Sequence, residues 1–567
     1  MSFLSGKQAF LQILKDEGVD TMFGNPGTTE LPLMDGLVRE PSIRYILALQ
    51  EAVAISMADG YAQASGKLGV VNVHTSPGLG NAMGMLYDAH EAGTPLLITA
   101  GQHDQAMNLT EPILWSDLPP VARPYVKWSH EITRIEDLPR AVRRAAKTAL
   151  AHPTGPVFIS LPVDVLNAER ELDLLQPTRV APRIRGDRAA IEAAADLLVK
   201  AGRPILIAGD AVAHGDALAE MAELAETLGA PVYTECVPST CSFPFTHPLY
   251  HGPFPRLGQP IRQLLMQHDL LFSVGGDLFT LSLPSDVEPM PEGLPLIHLD
   301  LDPWEIGKNY PAQVAIQGDP KATLPELVEA LRRRLSPAQA KEVGARVERL
   351  RIAQEARREA LRQEAASQAS RSPISPLTLV GAVTGAVRDE AIIVDESISS
   401  GHGVRELLRA RDHRGFYGLR GGGIGWGLPA SLGVKLAQPD RPVVALVGDG
   451  SAMYTIQSLW SAAHDSIAVV FVIFNNQSYR ILKQRTQALK GFSAEDNHYV
   501  AMDLVKPGLD YVGLARAQGV PGEIVEKTAD VATALRRGLA SGGPYLLDVR
   551  IDGNLRAFLK IHRDRAA

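Results

Sequence analysis

Short apolar runs alternate with amphipathic segments along most of the 567-residue chain. Runs such as V-V-A-L-V and A-V-V-F-V-I-F are typical of strands that are buried on both faces of a parallel sheet. The segments between such runs carry apolar residues at helical spacing, the pattern of helices that cover a sheet. A chain of this length is too long for a single core. We therefore predict an α/β fold with three doubly wound parallel-sheet domains.

The predicted strands fall into three blocks, which give the domain boundaries. The first block has strands at 21–23, 45–48, 69–73, 95–100 and 157–161, the second at 204–208, 231–234, 270–274 and 295–301, and the third at 391–395, 443–447 and 468–474. Apolar residues at helical spacing over 453–463 predict one helix between the last two strands. The predicted domains are 1–182, 183–337 and 374–567, with 338–373 as a helical linker.

Composition narrows the classes of protein that the chain can belong to. It is 45% hydrophobic and 21% charged, with a net charge of -8. The absence of a basic block argues against nucleic acid as a partner. No apolar run in the sequence is as long as a membrane span, and the N-terminus has no signal-peptide core, so we expect a cytoplasmic protein. Two cysteines are too few for a disulfide framework.

Two neighbouring strands of the third block end in Gly-Asp-Gly and Asn-Asn, where α/β sheets gather ligands. Asp449 supplies a carboxylate, Asn476 an amide oxygen and Ser478 a backbone carbonyl, an all-oxygen set that suits Mg²⁺ with phosphate. Gly450 and Ser451 open the next helix, whose free N–H groups favour phosphates. A Gly-Asp-Gly turn alone is usually an ordinary tight turn, but the Asn-Asn pair favours a diphosphate site.

Glu51 and His74 each allow two interpretations. Glu51 lies in the first turn of a predicted helix, where a glutamate is usually solvated and interacts with the helix dipole. It also follows a strand closely among apolar residues, where a carboxylate needs a polar partner. His74 is either a structural histidine or a ligand-binding one, because it too ends an apolar strand.

Four stretches resemble one family. They are F-G-N-P-G-T-T-E-L-P, Y-I-L-A-L-Q-E-A, A-D-G-Y-A-Q-A-S and N-V-H-T-S-P-G-L-G-N-A-M-G. They look like the pyrimidine-binding domain of thiamin-diphosphate-dependent decarboxylases and carboligases, and most resemble the benzoylformate decarboxylase pattern. The segment from Gly-Asp-Gly to Asn-Asn resembles the thiamin-diphosphate motif of the same family. The similarity covers nearly the whole chain and implies pyrimidine-binding, middle and diphosphate-binding domains.

The resemblance also implies roles for individual residues. Glu51 would bond the aminopyrimidine ring and promote formation of the reactive ylid, while Thr28 and His74 would face the substrate. Thr28 would bind its carboxylate and His74 would act as general acid and base. Ile424 would bend the cofactor into a V shape. The implied cofactor-binding set is Glu51, Ser399, Ile424, Asp449, Gly450, Ser451, Tyr454, Asn476 and Ser478, with Asp449, Asn476 and Ser478 holding Mg²⁺.

Some positions depart from the benzoylformate decarboxylase pattern. Thr28 stands where that pattern has serine, and the stretch 277–282 has no histidine where the pattern has one, which weakens benzoylformate as the substrate. Arg485 lies in a basic stretch that replaces aromatic and small apolar residues. It is either on an exposed helix face or evidence for a second anionic group on the substrate. His402 has no counterpart, and we expect a surface or structural role for it.

These features predict non-oxidative decarboxylation of a 2-oxo acid to an aldehyde. The alternative is a carboligase or lyase of the acetolactate synthase or 2-hydroxyacyl-CoA lyase type, in which a second carbonyl compound replaces the proton. A catalytically silent regulatory module is a third hypothesis, against which the retained Glu51, Asp449 and Asn476 argue. The resemblance implies thiamin diphosphate and Mg²⁺, a small 2-oxo acid or aldehyde as partner, and a homodimer at minimum, with homotetramers common. Some members of the family hold FAD in the middle domain, where 275–277 could bind a nucleotide, but FAD is not expected here.

Overall fold

The computed structural model describes residues 2–279, 281 and 283–555. It contains three six-stranded sheets in which every neighbouring pair of strands is parallel, together with one short antiparallel pair. Helices lie on both faces of each sheet, since the strands are buried apolar runs that need covering on both sides. The predicted α/β class with three parallel-sheet domains is therefore confirmed.

The first domain has the strand order β3-β2-β4-β5-β7-β6, and β1 pairs with β8 outside that sheet. The strands are β1 (Ser2–Ser5), β2 (Thr21–Gly24), β3 (Arg44–Leu47), β4 (Gly69–Val73), β5 (Leu96–Gln102), β6 (Ser129–Glu131), β7 (Val157–Pro162) and β8 (Glu169–Leu172). The helices are α1 (Gly6–Asp16), α2 (Leu31–Leu37), α3 (Glu51–Ser65), α4 (Thr75–Glu91), α5 (Leu118–Ala122), α6 (Leu138–Leu150) and α7 (Val163–Asn167).

The middle domain has the order β11-β10-β9-β12-β13-β14. Its strands are β9 (Pro204–Ala208), β10 (Val232–Thr234), β11 (Tyr250–Pro253), β12 (Leu270–Val274), β13 (Leu296–Asp300) and β14 (Val314–Gln317). Its helices are α8 (Arg188–Leu198), α9 (Asp210–His214), α10 (Leu218–Leu228), α11 (Gly258–Leu265) and α12 (Pro320–Arg334). The long helix α13 (Pro337–Ser367) follows, largely exposed, where the sequence predicts a solvated helix.

The third domain has the order β16-β15-β17-β18-β20-β19. Its strands are β15 (Ile392–Glu396), β16 (Phe416–Gly418), β17 (Val443–Gly448), β18 (Val469–Asn475), β19 (Gly522–Val525) and β20 (Tyr545–Arg550). Its helices are α14 (Pro376–Ala386), α15 (Val404–Leu407), α16 (Gly427–Ala437), α17 (Asp449–Ala452), α18 (Ser458–His464), α19 (Arg480–Leu489), α20 (Phe492–Glu495), α21 (Tyr511–Ala517) and α22 (Thr528–Ala540).

The prediction of one continuous helix between β17 and β18 is wrong. The chain forms the short helix α17, a turn, and then α18. Within the turn, the hydroxyl of Thr455 donates a hydrogen bond to the carbonyl oxygen of Gly425, which lies in the loop before α16. A buried polar side chain that binds another loop replaces the next helical turn here, and apolar spacing alone does not report such a contact.

Helices α3 and α16 cross at very short range and join the first domain to the third. A methyl group at Gly433 would overlap the carbonyl oxygen of Met57, and one at Gly60 would overlap the carbonyl of Ala430. Only glycine allows backbones to approach this closely. None of the helices in the described part of the chain is both long enough and apolar enough to cross a membrane.

We predict that Gly433→Ala lowers the thermal midpoint of unfolding, because the added methyl meets rigid backbone and the two helices must separate. Overpacking of this kind costs about 1–3 kcal/mol. The matched control is Gly344→Ala on α13, where no atom lies within 4 Å of the added methyl. There, alanine should stabilise the helix by up to about 1 kcal/mol. Equal midpoints for Gly433→Ala and the wild type would contradict this account of the crossing.

Candidate active site

Three predicted residues of the first domain follow three neighbouring strands. Thr28 lies after β2, Glu51 after β3 and His74 after β4, and these strands are adjacent in the sheet. Glu51 is the first residue of α3, and its side chain is buried rather than solvated. Its Oε2 accepts a hydrogen bond from Asn81 Nδ2 at 3.0 Å, so its carboxylate has the polar partner that burial requires.

His74 is oriented by Glu30, a residue that the sequence analysis did not single out. Its Nδ1 lies 2.7 Å from Glu30 Oε2, and Glu30 is 1% exposed. The backbone N–H groups of Gly27 and Gly101 donate to Glu30 at 2.9 and 2.7 Å, which fixes its carboxylate. A carboxylate acceptor assigns the proton to Nδ1 and leaves Nε2 of the neutral ring able to accept a proton.

The turn before Glu30 allows this pairing. A methyl at Gly27 would overlap the imidazole of His74, so glycine is needed for the ring to lie against the turn. Thr28 is exposed at the start of this turn, while the hydroxyl of Thr29 lies 3.3 Å from His74 Nδ1. The structure therefore brings Thr28 and His74 to the same edge of the sheet, but it is Thr29 that contacts the imidazole.

The predicted diphosphate residues also follow neighbouring strands. The loop with Ser399 follows β15, Asp449 follows β17, and Asn476 and Ser478 follow β18, and these strands are adjacent in the third sheet. Asp449 is 2% exposed, and its Oδ1 accepts the N–H of Gly450 at 2.9 Å. Among the described residues, its Oδ2 has no hydrogen-bond partner. Burial raises the pKa of Asp449 to about 6, although nearby backbone N–H groups lower it.

Asn476 and Ser478 form a compact turn beside Asp449. Asn476 Oδ1 accepts the N–H and the hydroxyl of Ser478 at 3.0 and 2.9 Å. Tyr479 packs against Gly450 so closely that a methyl there would lie 2.5 Å from its ring. Ser451 is buried, whereas Tyr454 is exposed. Helix α17 has only four residues, so its N–H groups, rather than a long helix dipole, would favour a phosphate.

Glu396 holds the glycine-rich loop that carries Ile424. Its two carboxylate oxygens accept the N–H groups of Gly425 at 2.6 Å and Gly427 at 2.5 Å. Burial raises the pKa of Glu396 to about 7, against the lowering effect of these N–H groups. The sequence showed Glu396 only as the end of a strand, because the loop that it binds is distant along the chain.

The first domain contacts the same loop. Asp88 Oδ1 accepts the N–H of Gly423 at 2.9 Å, and Trp426 Nε1 donates to Asp59 Oδ2 at 2.6 Å. Burial raises the pKa of both carboxyls, that of Asp88 to about 8. The loop that presents Ile424 is thus held by carboxylates from two domains of one chain.

The carboxyl edge of the middle sheet is filled by charged groups. Arg420 of the third domain lies 2.6 Å from Glu235 and within 3.4 Å of Asp210 and Asp277. A methyl at Gly276 would overlap Glu235. This cluster lies where open α/β sheets bind nucleotides. The expectation of no FAD here stays a prediction.

The sequence analysis also made predictions about Arg485, His402 and the stretch 277–282. Arg485 is half-buried on α19, where burial and the neighbouring Arg256 lower its pKa. His402 is half-buried in the loop before α15. Of the stretch 277–282 that lacks a histidine, residues 280 and 282 lie outside the described part of the chain.

The residues present fit thiamin diphosphate and a hard cation. No cluster of three or more His, Cys, Asp or Glu side chains suited to a metal occurs among the described residues. A cation would therefore need the orphaned oxygen of Asp449, the neutral oxygens of Asn476 and Ser478, and oxygens from a ligand, which is the set that Mg²⁺ takes with phosphates. The buried carboxylate of Glu51 fits a hydrogen-bonding partner such as the pyrimidine.

Three family models match the chain. They are the N-terminal TPP binding domain of thiamine pyrophosphate enzymes over residues 4–115, the central domain over 191–327 and the C-terminal TPP binding domain over 402–549. Thiamine pyrophosphate is thiamin diphosphate under its other name. The chain belongs to this family of enzymes, whose decarboxylase and carboligase members use that cofactor.

Three individual proteins show which members of the family the chain resembles. The chain is 33% identical to the benzoylformate decarboxylase of Pseudomonas aeruginosa, over 95% of this chain and 98% of that protein. It is 29% identical to a probable acetolactate synthase large subunit of Methanococcus aeolicus, over 97% and 92%. Among solved structures, the thiamine diphosphate-dependent 4-hydroxybenzoylformate decarboxylase of Rhodococcus jostii matches with a TM-score of 0.84 and 32% identity, over 97% and 100%.

We predict that the stability of the metal-free protein depends on Asp449. A carboxyl whose folded-state pKa is raised contributes stability below its unfolded value, and that contribution is lost as the pH rises through about 6. Asp449→Asn should therefore stabilise the metal-free protein at pH 7.5 by up to about 3 kcal/mol, measured as a higher thermal midpoint. The gain should shrink towards pH 5.

Asp300→Asn is the matched control, since Asp300 is a buried middle-domain carboxyl whose pKa burial raises to about 7. It should show a similar stability effect but keep the response of the thermal midpoint to Mg²⁺ and cofactor, which Asp449→Asn should lose. A lower midpoint for Asp449→Asn at pH 7.5 would show that Asp449 is already paired in the metal-free protein.

Proposed function

We propose that the protein catalyses the non-oxidative decarboxylation of a 2-oxo acid to an aldehyde with thiamin diphosphate and Mg²⁺. The bond between the carbonyl carbon and the carboxylate breaks, carbon dioxide leaves, and a proton takes its place on the carbonyl carbon. The bound cofactor supplies an electron sink for the charge that the departing carboxylate leaves behind. The protein binds the reactants and moves protons.

The observation that carries the proposal is the His74–Glu30 pair beside the buried Glu51. Glu30 holds the imidazole through Nδ1, so Nε2 is the position that exchanges a proton with the reacting carbonyl. Glu51 is buried with two amide partners, Asn25 and Asn81, and its carboxylate would hydrogen-bond the pyrimidine of the cofactor. Thr28 lies exposed at the same edge, where its hydroxyl can bind the substrate carboxylate.

In this proposal, the third domain would hold the diphosphate end of the cofactor, while the first domain would hold its pyrimidine end. Asp449, Asn476 and the Ser478 carbonyl would bind Mg²⁺, while Ser399, Gly450, Ser451 and Tyr454 would line the diphosphate site and Ile424 would support the rings. The proposed domain limits are 1–182, 183–337 and 374–567, with 338–373 as linker, and the three family matches fall inside them.

Carboligation is the second candidate, and the similarity to acetolactate synthases favours it. There, a second carbonyl compound takes the place of the proton. The two reactions differ in their products but need the same Glu51 and cofactor site.

We predict magnesium-dependent binding of thiamin diphosphate to the metal-stripped protein, measured by calorimetric titration. Asp449→Ala should lose that dependence, because it removes the only carboxylate in the proposed Mg²⁺ set, whereas Asp300→Ala should keep it. A panel of 2-oxo acids should then yield aldehydes, with and without an acceptor aldehyde. Ligation products without free aldehyde would favour the second candidate. Absence of cofactor binding in the wild type would reject both candidates.

The site also requires a partner chain in this proposal, with a homodimer as the minimal unit and a homotetramer as its expected assembly. Among the described residues, the hydrogen bonds of Glu51 and of Asp449 stay within their own domains. The family resemblance implies that the first domain of one subunit meets the third domain of its partner around each cofactor.

Mixed subunits give a direct test. Glu51→Gln and Asp449→Ala should each be inactive alone, with residual activity of about 1% or less. Unfolded and refolded together, they should regain activity, because mixed dimers contain one site with both native residues. The expected recovery is about a quarter of the wild-type value for random mixing of independent sites. If each site lay within one chain, mixing would restore nothing.

A further inference from the structure

Arg480 is a buried cation at the edge that the proposed function assigns to the diphosphate. It is the first residue of α19, two positions after Ser478, and it is only 6% exposed. Its Nη2 donates to the carbonyl oxygen of Asn554 at 3.2 Å, and its Nη1 lies 3.5 Å from Ser400 Oγ. Its Nε is buried without a hydrogen-bond partner among the described residues.

Comparison with another buried arginine shows what Arg480 lacks. Arg143 is 7% exposed and forms ion pairs at 2.8 Å with both Asp16 and Glu17. Arg480 forms no ion pair with any carboxylate in the described part of the chain. The nearby Asp552 lies beyond salt-bridge distance and accepts the N–H of Asn554. A buried charge without a counter-charge costs several kcal/mol, so an anion at this place would be strongly stabilised.

The contacts of Arg480 place it between two loops of the proposed cofactor site, those after β15 and β18, and the segment after β20. Ser400 is adjacent to Ser399 in the loop after β15, and Asn554 follows β20. The backbone after β20 packs on the loop after β18, where the N–H of Ile551 donates to the Asn475 carbonyl at 3.0 Å. The guanidinium therefore links loops on both sides of the Asp449 turn.

The residues proposed so far for the diphosphate site include no positively charged side chain. Its residues are Ser399, Gly450, Ser451, Tyr454, Asn476 and Ser478 together with Asp449, and none of them carries a positive charge. A diphosphate and the Asp449 carboxylate together carry more negative charge than one Mg²⁺ neutralises. Arginine complements phosphate oxygens well, because its planar guanidinium donates several parallel hydrogen bonds.

We infer that Arg480 is a further binding residue of the diphosphate site, whose buried guanidinium is the counter-charge for a phosphate anion at the carboxyl edge of the third sheet. This inference rests on the proposed function. It adds a positive charge to a site whose other proposed residues carry none, and it gives a counter-charge to a guanidinium that forms no ion pair in the described part of the chain.

The test is a calorimetric titration of the full-length protein. The protein is first stripped of bound metal and cofactor, then supplied with saturating Mg²⁺, and finally titrated separately with inorganic diphosphate, thiamin diphosphate and thiamin. Arg480→Met should weaken both diphosphates about 10- to 100-fold, the usual effect of losing charged hydrogen bonds, and leave thiamin unchanged. Arg480→Lys keeps the charge and should recover most of the affinity. Without ligand, Arg480→Met should unfold at the wild-type temperature or higher, because it removes an unpaired buried charge.

Two variants serve as controls. Lys483→Met removes a cation of the same helix that is paired with Asp503, and it should leave the diphosphate affinity within about twofold of the wild type, as expected for a screened charge outside the site. Arg143→Met removes a paired arginine and should lower the thermal midpoint without ligand.

Unchanged affinity of Arg480→Met for both diphosphates would overturn the inference, and a raised KM for the 2-oxo acid would then assign the guanidinium to the substrate carboxylate. A loss of ligand-free stability as large as that of Arg143→Met, with weak binding that Arg480→Lys does not restore, would show a structural role instead. If the wild type binds neither diphosphate, the proposed function itself fails.

Discussion

The close crossing of α3 and α16 is the constraint on which the rest of the structure depends. Helix α3 begins at Glu51, and α16 begins directly after the glycine-rich loop that carries Ile424. Gly60 and Gly433 let the two backbones touch, so each helix start is fixed relative to the other domain. Because packed interiors resist even one extra methyl group, this crossing sets the position of both candidate edges.

Buried carboxyl groups from both domains bind the glycine-rich loop that lies directly before α16. Asp59 and Asp88 come from the first domain and Glu396 from the third, and all three accept hydrogen bonds from the glycine-rich loop or its tryptophan. Burial raises the pKa of each one. Backbone and indole N–H groups donate hydrogen bonds to these carboxyls, so the loop is held from both domains, while Asp88 Oδ2 has no hydrogen-bond partner among the described residues.

The two candidate edges differ in how their charges are balanced. At the carboxyl edge of the first domain's sheet, Glu30 and His74 form a hydrogen bond with each other, so the imidazole is oriented before any ligand arrives. At the carboxyl edge of the third domain's sheet, Asp449 Oδ2 and Arg480 Nε each have no hydrogen-bond partner among the described residues. Such unsatisfied groups destabilise the protein alone, and a ligand with a cation and an anion relieves both. Binding of a metal–diphosphate complex would thus be coupled to the stability of the third domain.

The sequence by itself determined the α/β class and most central strands. Strands β9 and β12 were predicted to the residue, because fully buried strands are continuous apolar runs. In the three large sheets, the edge strands β6, β11, β14, β16 and β19 and the inner strand β20 were missed. These edge strands have only three or four residues each, and β14 alternates buried with exposed residues. Glu51, His74, Asp449 and Asn476 could be singled out as candidates from the sequence because each follows an apolar strand.

Only the tertiary structure decided which groups support these residues. Glu30 meets His74 across 44 positions of the chain, and Asp88 meets Gly423 across 335. Arg480 is polar in a basic stretch, and nothing in that stretch shows that it is buried without a carboxylate. Strand and helix patterns report local burial, whereas hydrogen bonds and ion pairs between distant segments depend on how the domains pack, and that packing has no local pattern in the sequence.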